Sequence, residues 1–69
     1  MTEINLKING KDIVLKNSST IEELIKERQV SGNMFVVEQN LTIVPKEIYS
    51  TTPIKENDSI EIVGFFGGG

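Results

Sequence analysis

The chain closes on Phe65-Phe66-Gly67-Gly68-Gly69 and holds neither cysteine nor histidine among its 69 residues. Their absence removes thiol chemistry, the commonest general base and the commonest metal ligand. No P-loop and no paired carboxylates in an obvious pocket take their place, so a self-contained enzyme is rejected and no metal site is expected. If the closing glycines are functional, the reacting group would be the carboxylate of Gly69. A carboxylate is a poor electrophile, because its negative charge repels nucleophiles, and it reacts only after activation. Glycines suit such a site: an active centre must reach a backbone carbonyl from both sides, and a Cβ would crowd it. Extended, Gly67, Gly68 and Gly69 reach about 10 Å, enough to thread into a partner's narrow channel while the folded domain stays outside. Ordering the tail on binding opposes affinity, so the domain surface must supply it. Phe65 and Phe66 are candidates for that surface. Neighbouring strand residues point to opposite faces. If Phe66 follows Ile60 and Ile62 inward, Phe65 points outward beside the tail as an anchor; alternatively both cap the lower core with Met34 or Phe35.

The elements that must present this tail are legible from periodicity. Ile4, Leu6 and Ile8 alternate with polar residues and predict a half-buried strand. Asn9-Gly10 supplies a type I′ hairpin turn, and Ile13 and Leu15 give the return strand one apolar face. Residues 17–28 predict a helix. Ser19 with Glu22, or Thr20 with Glu23, fits a capping box, and Ile21, Leu24 and Ile25 form its apolar stripe. Glu22 and Lys26 can pair, Glu23 and Glu27 repel, and Gly32-Asn33 is the expected stop. Met34–Glu38 reads as a central strand. A short strand over Leu41–Val44 ends at Pro45, which suits a strand end or an edge. One turn of 3₁₀ helix is expected around Glu47–Ser50, and Asn57 is the residue best able to turn left-handed in the loop before the last strand. A last strand lying parallel beside the first closes a mixed sheet of four to five strands on one main helix. That is an α+β fold of the β-grasp, ubiquitin-like type, with the domain over 1–66 and a flexible glycine tail over 67–69.

Composition narrows the partners. A chain with 38% apolar and 25% charged residues is globular, and at this length it is one small domain without room for a deep pocket. Its net charge of −3 and the absence of a basic stripe exclude nucleic acid and suit a partner with a basic docking face. No apolar run approaches the roughly 18–20 residues of a membrane span and no signal peptide opens the chain, so a cytoplasmic location is expected.

Three stretches, "VEQNLTIVPKEIY", "IKENDSIEIVGFF" and the closing "GGG", resemble the bacterial sulfur-carrier proteins of thiamine biosynthesis, the ThiS family. The family pattern runs Val-Asn-Gly, Val-Pro-Arg, an aromatic, Gly-Asp before the last strand, and a Gly-Gly end. Val44-Pro45-Lys46 stands at the Val-Pro-Arg, Tyr49 at the aromatic and Asn57-Asp58 at the Gly-Asp. Asn40-Leu41 replaces the usual Asn-Gly, so a turn of different type or length is expected there. Lys46 keeps the charge of arginine but loses its bidentate geometry. The resemblance implies that an adenylating (ThiF-like) enzyme, using ATP and magnesium, joins the Gly69 carboxylate to AMP. It implies that sulfur from a donor protein then leaves a thiocarboxylate, and that a thiazole synthase (ThiG-like) accepts that sulfur. The chain itself would bind no cofactor and would be a cosubstrate. Gly67, Gly68, Phe65, Phe66 and Lys46 would meet the partners, with Lys46 as a plain solvated charge the other reading. Tyr49 reads as a partly buried lid on the sheet, and Glu56, Asp58 and Glu61 as solvated. The small subunit of molybdopterin synthase, a ubiquitin-like protein modifier and a purely binding β-grasp module are the alternatives.

Overall fold

In the computed structural model, which describes residues 3–16, 18–30 and 34–64, the alternating run becomes strand β1 (Ile4–Ile8). Asn9 and Gly10 take φ of 51° and 83°, the two positive angles that a type I′ turn requires. The chain returns antiparallel as β2 (Lys11–Leu15), with Ile4 opposite Leu15 and Ile8 opposite Lys11. Leu6, Ile8 and Leu15 are buried, and Ile4 and Ile13 pack against them.

Helix α1 (Ile21–Glu27) is shorter than the helix expected over residues 17–28. Ser19 and Thr20 are held strand-like instead: Ile21 N–H donates to Thr52 O at 3.0 Å, and Ile54 N–H to Ser19 O at 2.9 Å. Thr20 is the N-cap, its hydroxyl accepting from Glu23 N–H at 3.2 Å. The Glu23 carboxylate reaches one residue further back than a standard capping box, to the Ser19 N–H at 2.7 Å and hydroxyl at 3.0 Å. Those bonds hold the Glu23 carboxyl below its usual value. Glu27 takes the Ser18 hydroxyl, so each of the two like-charged residues has a serine partner, and Glu22 pairs with Lys26 at 3.5 Å. The stop comes earlier than expected. Gln29 turns left-handed at φ 59°, donating to Lys26 O, while Val30 N–H donates to Ile25 O, both at 3.1 Å. This Schellman arrangement satisfies the last carbonyls without glycine. Gly32 and Asn33 lie outside the described residues.

Strand β3 (Phe35–Gln39) and edge strand β4 (Thr42–Val44) form a second hairpin, and β5 (Ser59–Gly64) follows a 3₁₀ segment over Lys46–Thr51. The sheet order is β2-β1-β5-β3-β4, with β5 parallel to β1 and antiparallel to β3. The centre of the sheet is therefore β5 and not the apolar run of β3, in which Val37 alone is fully buried. Ile21 and Leu24 of α1 cover Leu6, Val37, Ile60 and Ile62 on one face of the sheet, with Ile54 closing the side. Asn40 and Leu41 keep the type I′ turn despite the missing glycine, at φ 53° and 71°. Leu41 is 89% exposed, so its left-handed backbone is offset by no packing. Relief of that strain, about 1 kcal/mol, is expected in Leu41→Gly, measured as a higher urea midpoint at unchanged slope.

Candidate functional site

The site residues expected at the end of the chain, Phe65, Phe66, Gly67, Gly68 and Gly69, lie outside the described residues. What is described is the root from which they follow, and it is built with care. On one side β5 pairs with β3 as far as Gly64, opposite Phe35. On the other, β1 turns away after Ile8, and the side chain of Asn9 carries the ladder on. Its backbone N–H donates to Ile60 O at 2.8 Å. Its Oδ1 accepts from Ile62 N–H at 2.8 Å and its Nδ2 donates to Ile62 O at 3.4 Å. One asparagine thus both turns the first hairpin and grips the last strand.

Gly64 is required by close approach. A Cβ there would lie 2.2 Å from Met34 O and 2.6 Å from Phe35 Cα, both backbone atoms. Met34 is 67% exposed and contributes no core, contrary to one reading of its position, whereas Phe35 is half-buried. Its ring stacks on Tyr49, centroids 6.4 Å apart and planes 15° off parallel. Tyr49 is the partly buried lid expected of it; burial, then the Glu47 charge, raises its hydroxyl pKa.

Lys46 stands at the same end of the sheet as the root. Val37 faces Ile62 on one side and Val44 on the other, so β4 leaves the sheet toward the end at which β5 finishes. Lys46 is exposed and has no ion pair among the described residues.

Asp58 departs from expectation: it is buried, not solvated. Its carboxylate accepts from Asn40 Nδ2 at 2.9 Å and from Gln39 Nε2 and Lys55 N–H at 2.8 Å each. Burial opposes its ionisation, but those hydrogen bonds and the Lys55 charge outweigh burial and hold the carboxyl below its usual value. Asn57, at φ 70°, makes the turn that allows this. Glu56 likewise accepts from the Asn5 N–H and amide at 3.0 Å each. The signal for Asp58 lay in "KENDS", where an aspartate in a turn commonly accepts from nearby backbone; Glu56 reaches a residue 51 positions away, which no local signal marks. Among the described residues, no group of three or more acidic, histidine or cysteine side chains could hold a metal. Nor is any described helix long and apolar enough to cross a membrane.

The model of the ThiS family matches residues 3–69, nearly the whole chain and the glycines with it. The chain belongs to the ThiS family. It is 40% identical to the sulfur carrier protein ThiS of Bacillus subtilis, over 93% of this chain and 98% of that one. It is 41% identical to a thiazole synthase of Paramagnetospirillum magneticum, covering 96% of this chain but 20% of the synthase's length. The crystal structure of the thiamine biosynthesis protein ThiS from Geobacter metallireducens superposes with a TM-score of 0.80 at 29% identity, covering 96% of this chain and all of that one. The mixed five-stranded sheet on one helix is therefore the β-grasp of this family.

Two outcomes test the two ends of β5. An unfolded aspartate titrates near pH ~3.9, and folded Asp58 titrates lower, so its stabilisation is complete above that range and is lost as pH falls through the folded value. Asp58→Asn is expected to lower stability at pH 7 by about 2 kcal/mol and to flatten the acid limb of an unfolding-versus-pH profile. Gly64→Ala is expected to cost about 1–3 kcal/mol in thermal unfolding, since β3 backbone must move to admit the methyl group.

Proposed function

We propose that this chain is a sulfur carrier of thiamine biosynthesis and that its working group is the carboxylate of Gly69. The observation that carries the reading is the reach of the family match, which runs through Gly67 and Gly68 to residue 69. The full-length likeness to the Bacillus subtilis sulfur carrier supports it. In this reading a carboxylate oxygen of Gly69 attacks the α-phosphorus of ATP on an adenylating enzyme and pyrophosphate leaves. The acyl-adenylate is an electrophile where the carboxylate was not. Hydrosulfide released by a donor protein attacks its carbonyl carbon, the C–O bond to phosphate breaks, AMP departs, and the thiocarboxylate remains; a persulfide still bonded to its donor would give an acyl disulfide, which a thiol must then cleave. A thiazole synthase then takes the sulfur. The domain contributes no general base and no metal; it holds the last strand rigid at the sheet's centre and lends surface for docking, with Lys46 at the same end. The chain acts as a cosubstrate and its partners catalyse.

Incubation of the full chain with its adenylating enzyme, ATP, magnesium and a sulfur donor is expected to replace one terminal oxygen by sulfur, read by intact mass. Deleting Gly68 and Gly69 should abolish the change while leaving the unfolding curve as it was. An unchanged mass for the full chain, or transfer to the shortened one, would sink the reading.

A further inference from the structure

Asn9 and Gly10 are the chain's single Asn-Gly pair. Such a pair is chemically labile. The Gly10 nitrogen attacks the side-chain carbonyl carbon of Asn9 and a C–N bond forms. The Cγ–Nδ2 bond breaks, and ammonia leaves with the proton that the Gly10 nitrogen gives up. The product is a five-membered imide through Cα, the carbonyl carbon, the Gly10 nitrogen, Cγ and Cβ. Water opens it at either carbonyl, to aspartate or isoaspartate. Glycine permits the attack because no Cβ crowds its nitrogen. Both residues are exposed, and nothing lies within 4 Å of where a Gly10 Cβ would stand, so water has access.

Two features of the fold hold this reaction off. The first is the turn, with Asn9 at φ 51°. A type I′ turn gives its first central residue a ψ of ~30°, which sets the next nitrogen nearly anti to Cβ, whereas the ring needs the two eclipsed. The second is β5. Oδ1 of Asn9 accepts from Ile62 N–H at 2.8 Å and Nδ2 donates to Ile62 O at 3.4 Å, so Cγ cannot swing toward Gly10 without releasing the last strand.

We propose that Asn9 is a deamidation site, with water as the co-reactant, that the docking of β5 keeps closed. The reaction proceeds when β5 leaves the sheet, and its products weaken the return. Aspartate puts an oxygen opposite Ile62 O where Nδ2 had donated, and Lys11 and Arg28, which line the cleft beside Asn9, draw the new charge off the strand. Isoaspartate runs the backbone through Cβ and Cγ, so the two-residue turn gains a carbon and loses its geometry together with its grip. The parallel ladder beside it pairs only Lys7 with Ser59 and Ile8 with Ile60, so the amide is a large share of what holds that side. The second hairpin provides a contrast within the same chain. Asn40 also ties β5, through Asp58 and the Ser59 N–H at 2.9 Å each, but Leu41 follows it and crowds the attacking nitrogen. The inference concerns the fold and holds whatever the glycines carry.

The test is the rate of amide loss at each asparagine of the full chain at mildly alkaline pH, by peptide mass mapping. Conversion at Asn9 is expected to be at least about tenfold slower in buffer than in unfolding urea, and in urea Asn40 should lag behind Asn9. Gly64→Ala loosens β5 without touching the turn and should speed conversion in buffer at least about fivefold. In sub-denaturing urea the unmodified chain should convert in step with its open fraction, which serves equally if Gly64→Ala does not fold. In Asn9→Asp the Ile62 amide hydrogen should exchange faster than in the unmodified chain. Equal rates in buffer and urea, a rate in buffer that neither Gly64→Ala nor sub-denaturing urea raises, or unaltered Ile62 exchange in Asn9→Asp would overturn the proposal.

Discussion

The insertion of β5 between β1 and β3 is the contact on which the rest depends. Without it the chain is two separate hairpins and a seven-residue helix, none of which buries enough to stand alone. With it, Ile60 and Ile62 join the two hairpins under Ile21 and Leu24 into one core. The parallel pairing with β1 is short, Lys7 to Ser59 and Ile8 to Ile60, and is lengthened by a side chain where the backbone has already turned away. The root of the glycine tail is thus fixed on both sides by hydrogen bonds, one set from a strand and one from an amide.

At the other end of β5 the polar groups act together. Asp58 ties the Asn40 turn to the Lys55 loop, and Glu56 ties that loop to Asn5 of β1. Two connections and the first strand, distant in sequence, meet there, and each carboxylate accepts hydrogen bonds through both oxygens. Charge at this end is consumed by structure. On the outer sheet face, Glu38 and Glu61 are spent on nothing within the described chain, and this contrast separates the two groups of acids that composition alone lumps together.

Local features were readable from the residues and long-range ones were not. Asn9-Gly10, the alternation of β1 and the Ile21-Leu24 stripe depend on neighbours a few positions away, and they formed as the pattern implies. The parallel closure by the last strand followed from element order. The second role of Asn9 and the grip of Glu56 on Asn5 join residues 53 and 51 positions apart, and no periodicity marks them. Gln29 and Leu41 hide for a different reason: each occupies a left-handed position where glycine is the usual sign, so the backbone there is set by the surrounding hairpin or helix end. Nothing near Gly64 in sequence marks its need for glycine, because the atoms that forbid its Cβ belong to another strand.

The topology also orders the folding of this molecule. The β1–β2 and β3–β4 hairpins close short loops, whereas pairing β5 with β1 joins segments some fifty residues apart and waits on chain-closure entropy. The strand leading into the glycines is both the last synthesised of the five and the one whose docking is slowest to be rewarded. A partly folded chain therefore has no rigid stem behind its glycines. Completion of the core and fixing of that stem are therefore one event.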